Sequence, residues 1–466
     1  MDNSLFRKVD KEKKKDSSKY EVYGFKRNPF PKHPGVIMNN PDDRQNGSIY
    51  LKELRTSEES QFEHILVPDG DREETKSIAF LMDYATRKGR GIGKTAFLNY
   101  QRNRIMKDLG DELSNSTEVM FAVYVAPKPN DNYRKFSSIS KLIMDSIVDQ
   151  EIISICICRL RVFSGLISPK VLEKVKDDFI GTIGNNEWLK NTYKQLREKN
   201  QEFEEDIDIL SLNTNVKRQL ESIKISPELI LALHRFGYSS SDIRSYYFDK
   251  KPDFYWKKNA DNLLFNDFVK IFELAGFTHG IILLEELEKV IVPQTSIGRR
   301  EFCDALRYYF IDGDSSSNTQ NSFYKILLTI HPYLQELLYP HWNASGLGRF
   351  AGLSEETSKD YTVYFNPIDA PSARPLAETY INESRLAKGE EDAAILPFNE
   401  ESLSFALKKA LGVPGKYLAL LHSAIERGID EKWTEIGIKE LKTITLQDES
   451  FDDDELGELG ETKVTL

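Results

Sequence analysis

A chain of 466 residues with 40% hydrophobic content is long enough for two or three domains and a sizeable core. The net charge of −11 gives no direct support for nucleic-acid binding. No apolar run approaches the ~18 residues a membrane span needs, and the charged N-terminus lacks an apolar h-region, so a cytoplasmic protein without a membrane partner is expected. Three cysteines, Cys156, Cys158 and Cys303, are too few for a disulfide framework and read as buried thiols. Seven scattered histidines show no paired-His or HExxH pattern, which argues against a zinc site.

In chain order, residues 1–20 hold seven basic and four acidic residues and read as a flexible basic arm. Ile78-Ala79-Phe80-Leu81-Met82 is an apolar strand. It is followed by Gly89-Arg90-Gly91-Ile92-Gly93-Lys94-Thr95 and then by a helical pattern from Ala96-Phe97-Leu98. A glycine-rich turn between strand and helix lets backbone N–H groups close around a β-phosphate; Lys94 would reach the β- and γ-phosphates and the Thr95 hydroxyl would ligate Mg²⁺. Lys88 stands where the common spacing has the first glycine, so Gly89 comes one place late.

Residues 118–125 supply the next strand. Lys94 and Glu285 then lie 191 positions apart, and the extra length falls mostly within 130–256, which reads as a helical insertion. Ser168-Pro169 and Ser226-Pro227 each place an N-cap residue before a first-turn proline. The charged run 196–208 reads as a solvated helix or linker. The aromatic and basic segments Arg244 to Lys251 and Tyr255 to Lys258 are a candidate contact surface. Residues 263–277 have an amphipathic pattern.

Gly280-Ile281-Ile282-Leu283-Leu284 reads as a buried strand of a parallel sheet, ending in Glu285 and Glu286 at the carboxyl end, where such sheets bind ligands. Glu285 would serve the Mg²⁺ shell through water; Glu286 would orient or deprotonate the attacking water. Two more strands are expected at Tyr324–His331 and Tyr361–Phe365. A helix follows from Pro371 to Arg385, and another is capped by Asn399 and ended by Gly412. Residues 448–466 carry eight acidic residues and one lysine and read as a disordered acidic tail.

On these motifs the chain resembles the AAA+ P-loop ATPases, in the branch that contains origin-recognition initiators, transposition regulators and the ATP-binding proteins of BREX-like phage-defence systems. The resemblance spans about residues 22–445. It implies an α/β fold: a parallel-sheet core at 21–129 and 257–370, the helical insertion at 130–256, and a helical lid at 371–447. Tyr23-Gly24-Phe25 with Asn28-Pro29-Phe30 is similar to the segment that lies beside adenine, and Arg299 to Arg307 is similar to the helix after the acidic strand. A polar sensor of the γ-phosphate falls on Thr329 or His331; His331 reads equally well as a helix-start residue before Pro332. Arg349 sits where the branch carries an arginine finger, which implies a homo-oligomer. Lys416 stands where relatives often have a lid arginine. The cofactors implied are ATP and Mg²⁺, and the partners are proteins of a defence or transposition complex, with duplex DNA a further candidate. Most relatives have Asp at Glu285, so binding is expected while hydrolysis stays open; the alternatives are a signal-transducing NTPase without a DNA role and a non-hydrolysing scaffold.

Overall fold

A computed structural model of the chain describes residues 18–33, 35–36, 40–67, 76–83, 91–112, 119–128, 131–175, 178–199, 207–235, 240–313, 323–354, 356–386 and 395–445. The acidic tail, the basic arm up to residue 17, Lys88, Gly89, Arg90 and most of the charged run after Lys199 lie outside the described residues. The chain divides into two compact units, Arg55–Asn366 and Met1–Leu54 with Pro367–Leu466.

In the unit Arg55–Asn366 five strands pair in parallel: β1 (Ile78–Asp83), β2 (Val119–Val125), β3 (Phe277–Leu284), β4 (Tyr324–Ile330) and β5 (Thr362–Phe365), in the order β2-β3-β4-β1-β5. The α/β fold with a parallel sheet therefore stands as expected. The strands read as near-continuous apolar runs because both faces are covered: every residue of β1 and of β4 is buried. Alternation sends Phe80, Phe121, Val123, Ile282, Leu284, Ile326 and Leu328 to one face. The helices α1 (Thr56–Leu66) and α2 (Lys94–Glu112) serve the other, where Phe62 and Phe365 both meet Phe97 edge-on at 5.8 and 5.1 Å.

The described residues between β2 and β3 are largely helical, as the sequence predicts. Its longer helices are α3 (Phe136–Asp149), α4 (Ile152–Phe163), α5 (Ile209–Ser222), α6 (Pro227–Arg235) and α7 (Asp253–Asn262). Ile143 of α3, Ile157 of α4, Val216 of α5 and Leu229 of α6 share one continuous core with the first sheet face. Two arginines of α4 are wholly buried in it. The Arg159 guanidinium donates to the Ala275 carbonyl and lies over Phe163 and Phe277 at 5.0 and 5.5 Å. Arg161 donates to the Ile183 carbonyl and to the side-chain oxygens of Asn186 and Asn213.

The aromatic and basic contact surface needs correction. Tyr247, Phe248 and Trp256 are core residues, with the Phe248 and Trp256 rings stacked at 5.3 Å and 7°. Phe254 remains exposed on α7 beside Lys257 and Lys258. Burial of three large rings outweighs any gain from presenting them to solvent.

Both outer strands are closed by glutamines. The Tyr124 N–H donates to the Gln150 amide oxygen at 3.1 Å and the Gln150 amide donates to the Tyr124 carbonyl at 2.6 Å; on β5, the Tyr364 N–H donates to the Gln61 side chain at 2.9 Å. After β3 and β4 come α8 (Ser296–Arg307) and α9 (Pro332–Ser345), which pack together.

The second unit is built from α10 (Ala373–Ser384), α11 (Glu400–Lys409) and α12 (Pro414–Asp430), with the segment 18–54 packed into the same core through Phe25 and Phe30. Asn399 caps α11, its side chain accepting from the Ser402 N–H at 2.8 Å, and Gly412 turns the chain at φ +71°. The Glu426 carboxylate on α12 accepts from Lys19, Tyr20 and Asn28. Burial alone would raise its pKa, but these three donors together hold it at about 2.

One polar residue sits in the middle of the sheet core. Lys325 on β4 is 4% exposed, and burial pushes its ammonium down to about 8. Its charge, after burial, also helps to hold His279 on β3 near 4. Below pH 8 both folded and unfolded chains carry the Lys325 charge; from pH 8 to 10.5 only the unfolded chain holds the proton, so stability rises with pH. Any gain in stability from Lys325→Met is expected to shrink by up to about 3 kcal/mol between pH 8 and pH 10.5. Urea denaturation of both proteins across that range checks this, and a gain independent of pH would contradict it.

Candidate functional site

The site gathers at the carboxyl ends of the strands, on the face that α2 covers. Asp83 ends β1 in step with Ala79 and Leu81; Tyr124 alternates with Met120 and Ala122; Thr329 alternates with Lys325 and Leu327; Glu285 follows Ile281 and Leu283. All four point to that same face. β4 lies between β1 and β3, and one step beyond the Leu284–Leu328 pair Glu285 comes level with Thr329, which in turn pairs with Leu81.

Local chemistry explains how α2 arrives there. Gly91 and Gly93 have φ of +84° and +101°, a region open to glycine at little cost. A Cβ at Gly93 would meet no atom within 4 Å, so the backbone conformation, and not crowding, calls for glycine. The Phe97 N–H closes the first helical bond on the Gly93 carbonyl at 3.0 Å, which leaves the N–H groups of Lys94, Thr95 and Ala96 at the start of a long helix. Such a terminus suits an anion.

The loop is held from behind by Arg55, which is 6% exposed. It donates to the Ile92 carbonyl at 2.8 Å, to the Asn366 carbonyl at 2.7 Å and to Glu58 at 2.8 Å, with its guanidinium 4.6 Å from the Phe365 ring centre.

Thr95 and Glu285, 190 residues apart, are in contact: the Thr95 hydroxyl donates to one carboxylate oxygen of Glu285 and the Tyr124 hydroxyl donates to the other at 2.5 Å. Burial pushes the Glu285 carboxyl above its ordinary pKa; the two hydroxyls and Lys94 oppose that, and the charge of Glu286 adds to it. The Tyr124 hydroxyl is raised by burial and then by the charge of Glu285. The Lys94 ammonium is buried, 3.4 Å from the fully buried Asp83 carboxylate.

Glu286 takes the left-handed conformation at φ +52°, strained for a residue with a side chain, and its carboxylate pairs with Lys289 at 2.6 Å. The Thr329 hydroxyl is buried and makes no hydrogen bond among the described residues. His331 caps α9, its ring accepting from the Leu334 N–H at 3.4 Å and stacking on Tyr333. Arg349 is exposed in the short 3₁₀ turn Leu347–Arg349 after α9.

Lys416 is exposed on the first turn of α12, in the other unit. Asn28 and Phe30 also lie in that unit. Phe30 is fully buried there, with its ring near Tyr380 and Phe398. Thus Gly91, Ile92, Gly93, Lys94, Thr95, Ala96, Glu285 and Thr329 form one neighbourhood, while Gly89 and Arg90 lie outside the described residues.

Compared with known proteins, the chain matches no family model, no curated protein and no solved structure. The reading of the site therefore rests on its own chemistry. Thr95 and Glu285 are oxygen donors of the kind a hard divalent cation takes, and Lys94 beside the helix N-terminus suits phosphate, so these residues could hold a divalent cation next to a phosphate group.

Three participants escape the sequence reading: Asp83, Tyr124 and Arg55. An acid directly after an apolar strand was a usable signal for Asp83. Arg55 had none for the loop, since the two carbonyls it holds lie 37 and 311 positions away. Arg55→Met would leave Glu58, 5% exposed, as a buried carboxylate without its ion-pair partner. A loss of about 3 kcal/mol in urea denaturation is expected, with part of it recovered in Arg55→Met/Glu58→Met; a neutral Arg55→Met would show that the clamp contributes nothing.

Proposed function

We propose that this chain binds ATP with Mg²⁺ and hydrolyses it, as an AAA+ ATPase of the branch its motifs resemble. The observation that carries the reading is the contact of Thr95 with Glu285: two residues assigned from separate motifs to one metal shell meet in a buried site beside Lys94. In this reading the N–H groups of residues 91–96 and the Lys94 ammonium bind the β- and γ-phosphates. Thr95 and Glu285 hold Mg²⁺, which when bound neutralises phosphate charge. Thr329, whose buried hydroxyl has no partner among the described residues, is the better placed γ-phosphate sensor, because His331 already caps a helix.

Glu286 orients the attacking water, which requires it to leave Lys289. Arg349, exposed, is available to a neighbouring subunit's nucleotide as an arginine finger. The output, by resemblance, is control of a multi-protein DNA-processing system of phage defence or a mobile element, as a homo-oligomer with duplex DNA as a candidate ligand. The ion pair of Glu286 with Lys289 favours one second reading, an ATP-binding scaffold that does not turn over.

Steady-state ATP hydrolysis with and without duplex DNA, alongside binding of a fluorescent ATP analogue, separates these. Lys94→Ala is expected to abolish binding and turnover. Glu286→Gln is expected to keep binding within about twofold and to lower turnover about 10²-fold, the scale of a lost general base. Binding without turnover in the wild type selects the scaffold, and binding that survives Lys94→Ala removes the loop from its role.

A further inference from the structure

We infer that Tyr124 is a positioning residue for Glu285: it fixes one carboxylate oxygen so that the other faces Thr95 and the metal. The inference rests on the nucleotide-site reading above and adds to it a residue from a strand that carries neither motif.

A glutamate at a strand end has one more rotatable bond than an aspartate, so its carboxylate needs a second anchor to present one oxygen in a constant direction. Tyr124 supplies it. Its Cα pairs with Leu283, two residues before Glu285 and on the same face, and from there its hydroxyl reaches the Glu285 Oε2 at 2.5 Å while Thr95 takes Oε1. The anchor is itself held. β2 is an outer strand, and at Tyr124 its N–H and carbonyl are both taken by the Gln150 amide; the Arg102 side chain on α2 donates to the same Gln150 oxygen at 2.6 Å. A line of hydrogen bonds thus runs from Arg102 through Gln150 and Tyr124 to Glu285. It starts and ends on elements that frame the site, since α2 also carries Thr95.

Tyr124→Phe keeps the ring and deletes only the hydroxyl. The test titrates a fluorescent ATP analogue against wild type and variant at one pH, in EDTA and over a series of Mg²⁺ concentrations. The expected result is metal-free affinity within about twofold of wild type and a roughly tenfold rise in the Mg²⁺ concentration for half-maximal enhancement, the scale of lost outer-sphere support.

A positioning role also predicts non-additivity. In Glu285→Asp the shorter side chain withdraws from the Tyr124 hydroxyl, so adding Tyr124→Phe should move the Mg²⁺ midpoint no further; this comparison also serves if the single variant folds poorly. An unchanged midpoint in Tyr124→Phe overturns the inference, as does an equal further shift in the Glu285→Asp background. If the wild type binds no nucleotide in EDTA or Mg²⁺, the nucleotide reading falls and this inference with it.

Discussion

A carboxylate shut away from water must be met by donors, and at Glu285 that requirement fixes how three elements come together. Burial disfavours its charge, and the opposing help comes from two hydroxyls and an ammonium drawn from the first turn of α2 and from β2. The helix can deliver Thr95 and Lys94 only if the loop before it turns through two left-handed glycines and is kept there. Arg55 does the keeping, by donating to the loop and to the chain just beyond β5 at once. The same logic applies to Asp83, whose full burial at the end of β1 is tolerable because Lys94 lies beside it. Among the described residues, Glu285 and Asp83 share the Lys94 ammonium near the sheet's carboxyl ends. On the proposed reading, a divalent cation adds positive charge beside them.

The sheet was largely legible in the sequence because a strand covered on both faces reads as an unbroken apolar run, and all five such runs are strands. Helix starts were legible for the same local reason: helices begin at Pro169 and Pro227, and the Asn399 side chain caps within three residues of itself. What sequence reasoning could not supply was partnership at a distance. Nothing local marks Arg55 as the clamp on a loop 37 residues on, or marks Tyr124, one polar group in an apolar strand, as a donor to residue 285. The lysine-flanked aromatics around Tyr247 and Trp256 were misjudged because composition does not say which way a ring points; their neighbours across the fold decide that. The pairing of residues 18–54 with the C-terminal segment was equally invisible, since it depends on Phe25, Phe30 and the Glu426 carboxylate meeting across some 400 residues.

The helices between β2 and β3 illustrate how a long connection between two neighbouring strands is accommodated without a core of its own. They use the sheet as a floor, and their apolar sides merge with it. Arg159 and Arg161 lie deep in that layer, answered by carbonyl and amide oxygens among the described contacts, with hydrogen bonds that span from α4 to the chain at 183–186, to α5 and to Ala275, two residues before β3. Directional bonds of this kind specify how helices seat on one another, where apolar contact alone permits sliding.

The glutamines at the sheet margins have a further consequence. A side-chain amide is a peptide group in miniature, and Gln150 presents both halves of it to Tyr124 as a neighbouring strand would, while Gln61 does half as much for Tyr364. Each margin thus carries a surrogate neighbour one residue long, so a stray strand must evict an existing partner before it can add to the sheet. Self-association through runaway strand addition is discouraged at these points.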